Sequence, residues 1–235
     1  MATKENINPN KIARMAGFLY IILAPLGMLG MNPFDPSDVA TRASNIMASE
    51  SQFRLGIMSA LITQIVNILV VLLLYKLLKP VNKDYSVLMV IFLLAGVPIA
   101  MLNQINQSAA LLLVSGADYL TAFSPDQLQA LAPLFLDLQE HGLTIAGLFW
   151  GLWLLPMGYL VFKSGYIPKI LGILLIIGGF SYLIDSFTFF LFPNFIATIS
   201  LFTDLTWLGE LILALWLLIK GVNVEQWEKR ALESA

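Results

Sequence analysis

Apolar residues along this chain come in long runs, and most of the charged ones gather at the junctions between them. A helix needs about 20 mainly apolar residues to cross about 30 Å of hydrocarbon. Six stretches meet that length, at about residues 12–31, 53–78, 85–114, 138–162, 167–192 and 199–219. The third carries no charge between Tyr85 and Asp118, so it is long, tilted or extends past the bilayer, and Pro98 is placed to kink it. The pattern predicts an all-α fold, a single polytopic membrane domain over residues 1–235 built as a six-helix transmembrane bundle.

The junctions carry the orientation. Lys4, Lys11 and Arg14 mark the N-terminal end of the first span, and Lys76, Lys79 and Lys83 mark the connection of the second to the third. Lys163 and Lys169 join the fourth to the fifth, and Lys220, Lys229 and Arg230 follow the sixth. With six spans all of these fall on one side, and the other side keeps only Arg42 and Arg54. Lys and Arg accumulate in cytoplasmic loops, so both termini are expected to be cytoplasmic. The apolar stretch from Met15 to Met31 ends in Asn32-Pro33 with no cleavage-type small residues, so it reads as a retained first span. Residues 36–51 are expected to form an amphipathic helix at the outer interface, and Ser124-Pro125 a helix start that runs into the fourth span.

Composition narrows the chemistry. Of the 235 residues, 58% are hydrophobic and 12% charged, about half the charge of a soluble domain. The formal net charge of −2 offers no basic face to nucleic acid. There is no cysteine, which excludes disulfides, thiolate catalysis and thiolate metal sites. With a single histidine, His141, one chain cannot build a bis-His haem or a three-His zinc site. No cofactor and no metal are expected. The bilayer itself and a small polar or amphipathic ligand are the expected partners, and a homodimer is compatible with the span count.

Ionisable groups inside a membrane are costly and are read first as functional. Glu210 lies ten residues before Lys220, about 15 Å along the helix axis. Thr203 and Thr206 precede it by seven and four and share its stripe. Asp185 and Asp204 lie in the outer halves of spans five and six. Glu140 and His141 open the fourth span, with Asp137 one turn before His141. Asn103, Asn106 and Gln107 place amides on the outer half of the third span, and Gln64 and Asn67 on the middle of the second. Arg54 begins the second span and is expected to pair with Glu140, Asp185 or Asp204. The candidate site is therefore an outward-facing polar cavity drawn from Arg54, Asn103, Gln107, Glu140, His141, Asp185, Asp204 and Glu210, above a closed apolar inner half.

Three readings of that cavity stay open: a small transporter or ligand-binding protein with Glu210 as proton or cation site, a structural or regulatory protein whose polar groups only join helices, and an intramembrane enzyme using the carboxylates and His141. The motifs G-x-S-x-G and H-E-x-x-H are absent.

Several segments are similar to one family. They are Ala43-Ser44-Asn45-Ile46 with Phe53-Arg54, Leu74-Tyr75-Lys76-Leu77-Leu78-Lys79-Pro80, Phe149-Trp150-Gly151-Leu152-Trp153-Leu154-Leu155-Pro156-Met157-Gly158-Tyr159, and Gly209-Glu210 with Leu215-Trp216-Leu217-Leu218. In order and over nearly the whole chain, they resemble the bacterial domain-of-unknown-function 4386 membrane proteins. The resemblance implies a multi-pass protein of the bacterial cytoplasmic membrane, and it carries no activity, substrate or catalytic residue.

Overall fold

The computed structural model describes residues 8–30, 50–203 and 205–234. The expected interfacial helix at 36–51 lies almost wholly outside them, as does Asp204. The fold is all-helical, 88% helix, with no strand among the described residues. In chain order the helices are α1 (Pro9–Gly30), α2 (Glu50–Leu78), α3 (Lys83–Val114), α4 (Pro125–Ser164), α5 (Lys169–Leu191), α6 (Ile196–Thr203), α7 (Leu208–Ile219) and α8 (Val224–Glu233). The first five are long and apolar enough to cross a membrane.

Local chemistry sets the ends of these helices. Asn82 caps α3 through its side-chain oxygen, which accepts from Tyr85 N at 3.0 Å. Ser124 and Gln127 form a reciprocal capping box at the head of α4. From there α4 runs 40 residues without a break, about 60 Å at 1.5 Å per residue. The short outer helix and the fourth span are thus one element, as Ser124-Pro125 suggested. Gly165 (φ 79°) stops α4, and Gly221 (φ 69°) follows α7, both in the left-handed conformation that side chains disfavour.

Each helix packs mainly on its chain neighbours, α1 on α2, α2 on α3, α3 on α4 and α4 on α5. α7 packs on both α5 and α1 and closes the ring. The α4–α5 seam is set by glycines at seven-residue spacing on both helices, Gly151 and Gly158 against Gly172 and Gly179. A Cβ on Gly158 would lie 2.7 Å from the Gly172 carbonyl oxygen, and one on Gly179 would lie 2.9 Å from that of Gly151. Small residues bring helix backbones into contact where lipid gives no hydrophobic drive.

The Lys-rich helix ends meet at one pole of the bundle. The Val222 amide donates to Asn10 Oδ1 at 2.8 Å, joining the chain after α7 to the start of α1. Leu77 O, a last-turn carbonyl without a helical partner, accepts from the Tyr166 hydroxyl at 2.8 Å and from Trp227 Nε1 at 2.9 Å. Burial pushes the Tyr166 phenol up, partly offset by Arg230, so it stays a neutral donor. Trp227 is how α8, otherwise polar, is fastened across this pole.

The main apolar core fills the same half: Leu74, Leu77, Leu78, Met89, Leu93, Leu154, Met157, Leu160, Leu175, Leu213 and Leu217 are fully buried. A small second cluster, Phe53, Ala110, Leu111 and Leu136, joins α2, α3 and α4 near the other pole. Outward faces are apolar too, as with Leu55, Met58, Ile62, Ile65, Leu69 and Leu72 on α2. A helix apolar all round suits hydrocarbon rather than water.

The last apolar stretch differs from the uniform helix expected over residues 199–219. α6 stops at Thr203 and α7 starts at Leu208. Between them the backbone bonds are of the tighter i to i+3 kind: Thr206 N to Thr203 O at 3.0 Å, Gly209 N to Thr206 O at 3.1 Å and Glu210 N to Trp207 O at 3.1 Å. Such a tight stretch within a helix often marks a hinge. Thr206 contributes by turning its hydroxyl onto Thr203 O at 2.6 Å, a local bond that competes with the regular helix.

Candidate functional site

Two glycines bring the site together. On α1, a Cβ at Gly17 would lie 2.6 Å from Ala214 O, so α1 and α7 touch backbone to backbone. Tyr20, three residues on, then reaches α7. At the first turn of α7, a Cβ on Gly209 would lie 3.1 Å from Leu174 Cβ, so this turn lies against α5. Glu210 follows directly. Its carboxyl accepts a hydrogen bond from the Tyr20 hydroxyl at Oε2, and the Tyr182 hydroxyl of α5 faces it within bonding reach. A carboxylate with three helices converging on it is thus held by two phenols. Among the described residues no Lys, Arg or His lies within ion-pair distance of it.

Next to this cluster on α5, one turn from Tyr182, Asp185 Oδ1 accepts from Thr203 Oγ1 of α6 at 2.6 Å. This bond ties α6 to α5 just before the tight stretch. Trp153 of α4 reaches across the ring, its indole centroid 6.1 Å from the Tyr20 ring.

The other expected site residues are placed elsewhere. Asn103 is buried between α3 and α4. Its Nδ2 donates to Gln139 O at 2.6 Å, its Oδ1 accepts from Asn106 Nδ2 at 2.9 Å, and its side chain occupies the space a Cβ on Gly142 would take. This is an interhelical joint. Gln107 is buried on the same helix. Glu140 is exposed. His141 is exposed as well, with Nδ1 2.7 Å from the Asp137 carbonyl oxygen and its ring edge-on to Phe189 at 4.9 Å. His141 thus meets Asp137 through the Asp137 backbone. Among the described residues no three His, Asp or Glu side chains gather as a metal site needs.

Arg54 departs from expectation. Its guanidinium Nε donates to Glu50, one turn earlier on α2, at 2.8 Å, and both side chains are largely exposed. A local partner at i−4 holds the long side chain along its own helix. Exposed pairs of this kind contribute little. Arg54→Ala is therefore expected to change stability in detergent by no more than about 0.5 kcal/mol, measured as a shift in thermal midpoint. A loss of several degrees would mean that Arg54 serves a partner other than Glu50.

Tyr20 and Tyr182 were not among the residues singled out from sequence. Tyrosine in a span is ordinary at the interfaces, and nothing local distinguishes one that reaches a carboxylate. The available signal was depth: both lie well inside their spans, at the level of Glu210.

A groove of about 580 Å³ lies at the Lys-rich pole, lined by Asn8, Asn10, Lys11, Arg14, Met15 and Phe18. It is a surface feature of α1 and does not adjoin Glu210.

Comparison with known proteins agrees with the sequence resemblance. Residues 15–221 match the family described as Domain of unknown function (DUF4386). An uncharacterized protein of Archaeoglobus fulgidus is 33% identical over 164 residues, covering 69% of this chain and 81% of the relative. No solved structure matches the chain.

Proposed function

We propose, from the premise that this chain belongs to the DUF4386 family, that it is a six-span membrane protein acting as a small transporter or solute-binding protein, with Glu210 as its proton or cation site. The sixth span is the pair α6 and α7, crossing as two half-helices. The Lys and Arg asymmetry supports cytoplasmic ends, and the bacterial cytoplasmic membrane is the location the sequence resemblance implies. The solute is small and polar or amphipathic, reached through polar residues in the half opposite the Lys-rich pole.

One observation carries the reading: Glu210 sits at the start of a half-helix, at a break in the helix, held by neutral phenols and, among the described residues, by no cation. A carboxylate in such a place must be protonated, paired or beside water. Interrupted helices near the midplane are where secondary transporters place their ion and substrate sites. A purely structural carboxylate would gain most from a fixed Lys or Arg partner, and none is present among the described residues.

The competing structural reading draws on the Asn103 joint, where polar side chains do hold two helices together. Thermal unfolding of the detergent-purified protein against a library of small molecules and ions separates the two, because a ligand that binds only the folded state raises the midpoint by mass action. The expected result is at least one compound that stabilises the wild type and loses its effect in Glu210→Gln. An unresponsive wild type, with Glu210→Gln merely less stable, would leave Glu210 a structural residue.

A further inference from the structure

We infer that the Glu210 site takes a small organic ammonium ion carrying at least one N–H, rather than an alkali or divalent metal ion. This rests on reading Glu210 as the solute site and adds the chemical class of the solute.

Depth along the helices brings the relevant groups to one level. Counting from the Lys-rich ends at 1.5 Å per residue, Glu210, Tyr20, Trp153, Tyr182, Trp150 and Gln64 lie between about 14 and 21 Å. Five of the six helices of the ring contribute: α7, α1, α4, α5 and α2. Gln64 shares a stripe with Val71, Leu74 and Leu78, which line the core, at spacings of seven, ten and fourteen. Trp150 does the same on α4, three and seven residues before Trp153 and Met157. The level is the edge of the packed apolar core, to which Tyr20 and Trp153 belong.

Three features of this level point to one ligand chemistry. The first is a carboxyl group with no cationic partner among the described residues. The second is aromatic: the tilted Tyr20 and Trp153 rings, 6.1 Å apart, with the Tyr182 hydroxyl also within reach of the carboxyl. Ammonium ions are drawn to the faces of Trp and Tyr, more strongly when desolvated. Hard metal cations instead ask for six or more oxygen ligands.

The third feature is unused hydrogen-bonding capacity. Gln64 is 5% exposed, and its Oε1 is buried with no partner. The Trp150 Nε1 is also buried with no partner. A buried polar atom left unpaired is costly, so the two are a reserve that a ligand can satisfy. An ammonium N–H serves the Gln64 oxygen, and an acceptor such as a hydroxyl serves the Trp150 indole. An amino alcohol supplies both.

The test uses full-length protein in detergent, wild type, Glu210→Gln and Gln64→Leu, and reads the thermal midpoint. The probes are methylammonium, ethanolammonium, tetramethylammonium, sodium and potassium chlorides at matched ionic strength. The expected result is a saturable stabilisation of the wild type by methylammonium and ethanolammonium, with tetramethylammonium at least tenfold weaker. Gln64→Leu should weaken the two N–H probes about tenfold and leave the tetramethylammonium response unchanged. Sodium or potassium acting alone, through Glu210, would overturn the ammonium assignment while keeping Glu210 as a cation site. Equal responses to all five salts, unchanged in Glu210→Gln, would overturn both. Because the probe ranking is read on the wild type, it remains decisive even where a variant folds poorly.

Discussion

Gly158→Ala is expected to cost about 2–3 kcal/mol of stability, and Gly158→Leu to leave no stable bundle in detergent. The added Cβ would lie 2.7 Å from Gly172 O and 3.0 Å from Ile176 N. Both are backbone atoms of α5 and cannot turn aside as a side chain would. The helices must separate, and the facing pair at Gly151 and Gly179 separates with them. In lipid no hydrophobic gain offsets the lost contact. The control is Gly27→Ala on α1, where no described residue lies within 4 Å of the new Cβ. There the better helix propensity of alanine dominates, and a neutral to slightly stabilising effect is expected, up to about 1 kcal/mol. The same chemical change should thus have opposite signs at two helical glycines. Equal small effects at both, in thermal or denaturant unfolding, would show that the α4–α5 seam is looser than described.

The second large effect belongs to the carboxylate. Tyr20→Phe removes one hydroxyl and is expected to cost about 1–2 kcal/mol, because a hydrogen bond to a charged or strongly polar acceptor is worth more than a neutral one and membrane bonds run lower than the ideal. In a Glu210→Leu background the same change should cost almost nothing. The coupling between the two is then on the order of 1 kcal/mol. A double-mutant cycle on thermal or denaturant midpoints measures it directly. Additive losses would mean that Tyr20 is held by packing against Trp153 and that its hydroxyl contributes nothing to Glu210. The cycle also bears on function. If Glu210 exchanges its partner for a solute, Tyr20→Phe should weaken the structure without abolishing the Glu210-dependent ligand response.

Much of this architecture was legible from the order of residues alone. Apolar runs of membrane-crossing length have one solution for their backbone polar groups, which is to pair them within a helix. So five long helices, their approximate ends and the all-α class followed from hydropathy. Ser124 with Gln127 marked the start of α4 through a local capping interaction, which needs no distant partner. Gathering Lys and Arg at alternate junctions implied that those junctions share a pole, and the bonds from Val222 to Asn10 and from Trp227 and Tyr166 to Leu77 are made there.

The site was less legible, because its geometry depends on contacts between residues far apart in the chain. Glu210 was singled out by its charge at depth. Its partners Tyr20 and Tyr182 are 190 and 28 positions away, and only the close approaches at Gly17 and Gly209 bring them within reach. Nothing in the apolar pattern of 199–219 indicated the break between α6 and α7, since hydropathy is blind to whether an apolar stretch is one helix or two. Polar residues that looked alike in sequence also separated by environment: Asn103 became a joint against Gly142, Glu140 and His141 turned outward, and Arg54 settled on Glu50. Hydropathy and charge, acting residue by residue, determined the long apolar helices and roughly where most of them begin and end. The packing of helix against helix decided which polar groups meet, because that depends on where small residues let two backbones touch.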